Sequence, residues 1–79
     1  MTSRASTEID IRVGRNLRRA RQHRGYTQDE LARRIGVRSQ QVQKYESGEN
    51  RITAGRLWQA SHHLRVPITD LFDEVFTCL

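Results

Sequence analysis

Residues 27–48 read TQDELARRIGVRSQQVQKYESG, and this stretch decides the fold. Thr27 followed three residues later by Glu30 is a capping-box pattern. The Thr hydroxyl can accept from the Glu30 backbone N–H while the Glu side chain reaches back to the Thr N–H, so a helix is expected to start at Gln28. Leu31, Ala32 and Ile35 recur on one face of that helix, and Gly36 follows as a stop. A third short segment, Ser39 to Glu46, places Val42 and Tyr45 inward at helical spacing. Two short helices joined so tightly must approach closely. That calls for a small residue on the first, a flexible residue in the turn and an apolar anchor on the second, and Ala32, Gly36 and Val42 stand in those places.

Working outward, the pattern stays helical. Residues 1–7 carry no apolar pattern and read as a flexible arm. From about Glu8 to Arg24, Val13, Leu17 and Ala20 share a face, and Gly25 closes the segment. Ser47-Gly48-Glu49-Asn50 is a turn. Thr53 can cap a fourth helix to about Arg65, with Leu57, Ala60, Ser61 and Leu64 inward. Pro67 suits the first turn of a fifth helix, in which Ile68, Leu71 and Phe72 repeat. Trp58 borders the fourth helix's apolar stripe and is expected to pack. Strand-type alternation has no useful run, so the expectation is an all-α, compact five-helix unit. A single domain spans residues 8–76, with a short tail at 77–79.

Length and composition narrow the function classes. Seventy-nine residues, 35% hydrophobic and 29% charged, make one small domain with little room for an enclosed active site. No apolar run approaches the roughly 18 residues of a membrane span. Met1 to Glu8 lacks the apolar stretch of a secretory leader. One cysteine, Cys78, cannot build a disulfide framework, which suits a reducing, cytoplasmic compartment. The net charge of +5 is uneven. Residues 11–44 hold ten basic side chains against Asp29 and Glu30, whereas residues 70–79 hold Asp70, Asp73 and Glu74 and no basic residue. Such asymmetry points to a half that faces a polyanion, against the bland alternative of a solvated basic surface.

The spacing of the second and third helices is that of a helix-turn-helix, whose second helix enters the DNA major groove. GYTQDELARRIGVRSQQVQKYESGENRI (residues 25–52) resembles the phage-repressor family of Cro, lambda repressor and the xenobiotic-response-element regulators. Within it, the QQVQKYE and G-x-NRI strings are similar to those of short alphaproteobacterial regulators. The resemblance covers about residues 9–73 and places the helix-turn-helix at about residues 28–47. It implies a five-helix DNA-binding domain, usually a homodimer reading a pseudo-palindromic operator, with the localisation of a nucleoid-associated protein.

Helix geometry nominates the contacts. With Val42 inward, Gln40 and Lys44 point about 160° away on either side, and Gln41 and Gln43 flank them at about 100°. Amide side chains suit adenine N6 and N7 and lysine suits guanine O6 and N7, so these four are the expected base contacts. A polar solvent face is the plain alternative. Phosphate contacts are assigned to Gln28, Arg38, Ser39, Asn50 and Arg51. For Gln28, Ser39, Asn50 and Arg51 the family resemblance implies this. Arg38 departs from the family's usual Ser or Thr, so Ser39 is read as a cap one residue later, freeing Arg38. Arg12, Arg15, Arg18 and Arg19 read as general surface charge. Arg21 and Glu46 each fall about 40° from their helix's apolar direction. An unpaired buried charge is costly, so they are expected to form a structural ion pair, as the resemblance also implies.

No metal, cofactor or catalytic role is assigned. His23, His62, His63 and Cys78 lack the four-ligand spacing of a structural zinc site, and Cys78 has no evident base nearby. Val75, Phe76 and Leu79 either complete the core or form a two-fold dimer interface. The functional expectation is a sequence-specific, double-stranded-DNA-binding transcriptional regulator, a dimeric repressor and not an enzyme. The alternatives are an antitoxin, which would bind a toxin as well as its operator, and a protein-interaction adaptor that reuses the fold.

Overall fold

The computed structural model describes residues 4–75. The expected interface residues Phe76 and Leu79, and the tail 77–79, lie outside the described residues. Four α-helices follow in order: α1 (Arg4–Arg24), α2 (Gln28–Ile35), α3 (Ser39–Ser47) and α4 (Ala54–Leu64). A 3-10 helix, Ile68–Phe72, comes last. The all-α class is as expected, with two corrections. First, α1 starts at Arg4, inside the stretch read as an arm, because a helix can run past its apolar stripe where no Gly or Pro breaks it. Second, the fifth element is a 3-10 helix and not an α-helix. Its i→i+3 bonds run from Asp70 N–H to the Pro67 carbonyl at 2.9 Å and from Asp73 N–H to the Asp70 carbonyl at 3.3 Å. With three residues per turn, Phe72 is rotated about 120° from Leu71. Leu71 is fully buried, whereas Ile68 and Phe72 are exposed.

The core has two connected parts. Leu17, Leu31, Ala32, Ile35, Val42, Tyr45, Ala60 and Leu64 form the cluster beneath the α2–α3 pair. Val13, Leu57 and Leu71 form the other, with Val75 packed against it from the end of the described chain. Ala20, Ile52 and Val66 touch both clusters and join them. Each fully buried Leu or Ile stabilises the fold by about 1.5–3 kcal/mol.

Three local devices fix how the helices meet. Gly36 ends α2 at φ 74°, and the Val37 N–H bonds back to the Ala32 carbonyl at 3.0 Å, which turns the chain directly into α3. Gly14 lets α1 cross α3 closely, since a Cβ there would lie 2.1 Å from the Tyr45 carbonyl oxygen. Asn16, buried on α1, donates from Nδ2 to the carbonyls of Leu71 (3.1 Å) and Asp73 (2.9 Å), pinning the 3-10 helix. Trp58 departs from expectation. It is 60% exposed on the flank of α4 and stacks on His62 one turn later, with ring centroids 5.4 Å apart. Its direction, about 100° from inward-facing Leu57, places the indole beside the core and not in it.

Candidate nucleic-acid interface

The site is built on α2 and α3, and α2 is locally self-sufficient. Thr27 Oγ1 accepts from the Glu30 N–H at 3.0 Å, and the Thr27 N–H donates to Glu30 Oε1 at 3.1 Å, completing the capping box. The backbone N–H and then the hydroxyl of Thr27, with help from Arg34 and Arg33, hold the Glu30 carboxyl below the usual carboxylate range. Arg33 faces Asp29 at 3.7 Å, and Arg34 lies 4.2 Å over the Tyr26 ring.

In contrast, α3 is held by its neighbours. Arg21 of α1 reaches Glu46 with Nε to Oε2 at 2.6 Å and Nη2 to Oε1 at 3.1 Å. The pair is nearly dry, its side chains 10% and 3% exposed. Arg21 Nη1 also donates to the Tyr26 carbonyl at 2.8 Å, and Gln28 Nε2 donates to Glu46 Oε1 at 2.9 Å. One carboxylate thereby ties α1, α2 and α3 together.

The outward side of α3 carries the expected base-contact residues. Gln40, Gln43 and Lys44 are exposed and Gln41 is half-buried. None of their side chains is engaged in a hydrogen bond or ion pair among the described residues. Gln40, Gln41 and Lys44 share a groove with Arg38 of the turn and Arg56 of α4. Arg56 Nη1 donates to the Ile35 carbonyl at the end of α2, a link with no visible mark in the sequence.

The expected phosphate contacts are placed unequally. Arg38 is exposed and occupies the N-cap position of α3 with no side-chain cap bond. Ser39 is not the cap, which corrects its sequence assignment. The bonded turn after Gly36 starts α3 one residue early, so Ser39 lies inside the helix. Gln28 is half-buried and oriented by Glu46. Asn50 is half-buried, with its N–H on the Lys44 carbonyl at 3.2 Å. Arg51 gives its Nε to Asp10 of α1 at 3.0 Å and leaves much of its side chain exposed. On the far side of α3, Arg18 lines a cleft with Gln28, Gln43, Glu46 and Ser47. Arg18 read as plain surface charge, although its position three residues before Arg21 puts it on the same side of α1. Among the described residues, no group of three His, Cys, Asp or Glu could hold a metal ion.

A family model described as helix-turn-helix matches residues 17–71. The chain belongs to the helix-turn-helix family. This domain is 44% identical over 73 residues to a transcriptional regulator in the ATPase CF(0) region of Rhodospirillum rubrum, covering 92% of this chain and 68% of that one. It is 46% identical over 67 residues to the HTH-type transcriptional regulator y4aM of Sinorhizobium fredii, covering 85% of this chain. It spans about half the length of that relative, 47%. Among solved structures, the clp gene regulator ClgR from Corynebacterium glutamicum superposes with a TM-score of 0.81 at 25% identity, covering 87% of this chain and 73% of that one. The restriction-modification controller protein C.AhdI from Aeromonas hydrophila shares the fold, with a TM-score of 0.74 at 24% identity over 78% of this chain and 94% of that one. The helix-turn-helix domain is thus of the DNA-binding, transcription-regulator type, and the family is not one of enzymes. No helix among the described residues is long and apolar enough to cross a membrane.

Proposed function

We propose that this chain is a sequence-specific regulator that reads double-stranded DNA by laying α3 in the major groove, and that it represses transcription as a homodimer on a pseudo-palindromic operator in the cytoplasm. Gln40, Gln41, Gln43 and Lys44 read base edges. Gln28, Arg38, Ser39, Asn50 and Arg51 hold phosphates on either side. The observation that carries this reading is the outward face of α3, where three amides and an ammonium stand unbonded on a helix whose inward residues are all committed. Unbonded amides suit adenine edges and the ammonium suits guanine. The uncapped first turn of α3 leaves backbone N–H groups and a partial positive charge for a phosphate. Arg21 and Glu46 keep a structural role, fixing the angle at which α3 is presented.

Dimerisation rests on the same logic, since two weak half-site contacts combine into one strong one. Phe76 and Leu79 remain candidates for a two-fold interface, while Val75 already packs on the chain's own core. The test is selection from a random duplex library at near-physiological salt. The expected result is an enriched two-fold site whose half-sites lie about one helical turn apart, or a multiple of it. Salt-sensitive binding with no enriched sequence would contradict specific readout. An enriched single half-site would contradict the dimer.

A further inference from the structure

The cleft on the α1 side of α3 gathers groups from three helices, and of these only Gln43 belongs to the base-reading face. Arg18 comes from α1, Gln28 from the first turn of α2, and Gln43, Glu46 and Ser47 from α3. Arg18 is exposed and has no ion-pair or hydrogen-bond partner among the described residues. Arg21, Arg33, Arg51 and Arg12 are committed, to Glu46, Asp29, Asp10 and Glu74, whereas Arg15 and Arg19 are as exposed and unpartnered as Arg18 among the described residues but do not line this cleft. The Ser47 hydroxyl is also spent, donating to the Lys44 carbonyl at 3.1 Å. Gln43 is unbonded among the described residues but belongs to the base-reading face, and Gln28 has one amide N–H beyond the one it gives to Glu46.

Glu46 would repel an anion in this cleft if its charge stood alone. Arg21 engages both of its oxygens, however, so the buried pair contributes little net field. What remains is one guanidinium and the spare Gln28 amide N–H, donors that suit a phosphate oxygen pair.

We propose that Arg18, with Gln28, forms a DNA backbone clamp that grips one phosphate on the α1 side of the recognition helix and fixes its register in the groove. This rests on the DNA-binding reading above and adds a residue to it. Arg18 acts on the backbone, so it sets affinity for every sequence and carries no base preference.

The experiment measures duplex binding against salt for wild type, Arg18→Ala, Arg18→Lys and Arg19→Ala, with melting temperatures for each. Arg19→Ala removes the same charge from the next position of α1, where the side chain lines a different cleft beside the 3-10 helix. Arg18→Ala is expected to bind both selected and random duplexes about fivefold more weakly near physiological salt, with a log–log salt slope shallower by about 0.9. Arg18→Lys should keep most of the slope, and Arg19→Ala all of it. Phosphate ethylation should block wild type at one backbone position per half-site to which Arg18→Ala is indifferent. Equal losses for Arg18→Ala and Arg19→Ala, or an unchanged ethylation pattern, would overturn the clamp while leaving DNA binding intact. A wild type that binds no duplex would overturn the functional reading itself, and the clamp with it.

Discussion

The two helices of the motif are nearly equal in length, eight and nine residues, yet they are stabilised in opposite ways. Within α2, Thr27 and Glu30 cap the start, Gly36 closes the end, and Asp29 and Arg33 pair along the exposed side. Its partner α3 begins without a side-chain cap and has no ion pair along its own surface among the described residues. It is held from behind by Arg21, Gln28 and the close crossing at Gly14. A helix that satisfies its own ends can serve as a brace. One stabilised from the inside keeps its outer groups for something else, and on α3 those groups are Arg38, Gln40, Gln43 and Lys44.

The largest effect should come from removing α3's internal support. Glu46→Ala leaves the Arg21 guanidinium buried and unpaired, and should cost about 3–5 kcal/mol in urea or thermal unfolding. A melting temperature indistinguishable from wild type would show that α3 does not depend on the pair. Next, Gly14→Ala sets a methyl group 2.1 Å from the Tyr45 carbonyl oxygen, so α1 and α3 must separate. Overpacking of this kind should cost about 1–3 kcal/mol. Its amide signals on α3 should move more than those on α2, and a uniform or absent change would erase the contrast.

Smaller effects belong to the caps. Thr27→Ala should cost about 1 kcal/mol by removing the α2 cap. The same box gives α2 an acid sensitivity. Glu30 has its folded pKa lowered by Thr27, so its contribution is present at pH values above the ordinary carboxylate range and fades as pH falls through the lowered value. Thr27→Ala should flatten that acid limb in a stability-versus-pH series, and a limb unchanged by the substitution would assign it to another group. Arg38→Ser tests the opposite case. It supplies the missing cap and should stabilise α3 by about 0.5–1 kcal/mol while weakening DNA binding. A variant that gains stability and keeps its affinity would show that the uncapped end has no role in binding.

The contrast between the helices was partly visible in the sequence. Thr27 and Glu30 announce the α2 cap because a capping box is a local pattern, readable at fixed spacing. Arg21 and Glu46 stand out as charges on apolar faces, and the structure joins them at 2.6 Å. Other features depend on how helices lie in space. The exposure of Trp58 follows from where the α4 flank ends against its neighbours. The 3-10 helix at residues 68–72 is pinned by Asn16 across 55 residues of sequence, a contact with no local pattern. Ser39 falls inside α3 because the backbone bonds after Gly36 fix the turn length, a constraint its own side chain does not reveal. Arg18 and Arg51 look alike in the sequence, yet Asp10 engages Arg51 while no side chain among the described residues pairs with Arg18. Of the candidate site, the α3 face and the buried Arg21–Glu46 pair were therefore legible, and the pairing of the exposed arginines was not.

In the proposed function, α3's outer face reads bases while its surroundings hold the backbone. The most direct measurement is the affinity of Gln40→Ala for a selected operator and for random duplex, taken side by side at one salt concentration. The expected result is a loss of about 1–3 kcal/mol on the operator, with affinity for random duplex unchanged and preference relaxed at one base position. Equal losses on both duplexes would contradict it, leaving Gln40 as one more backbone contact.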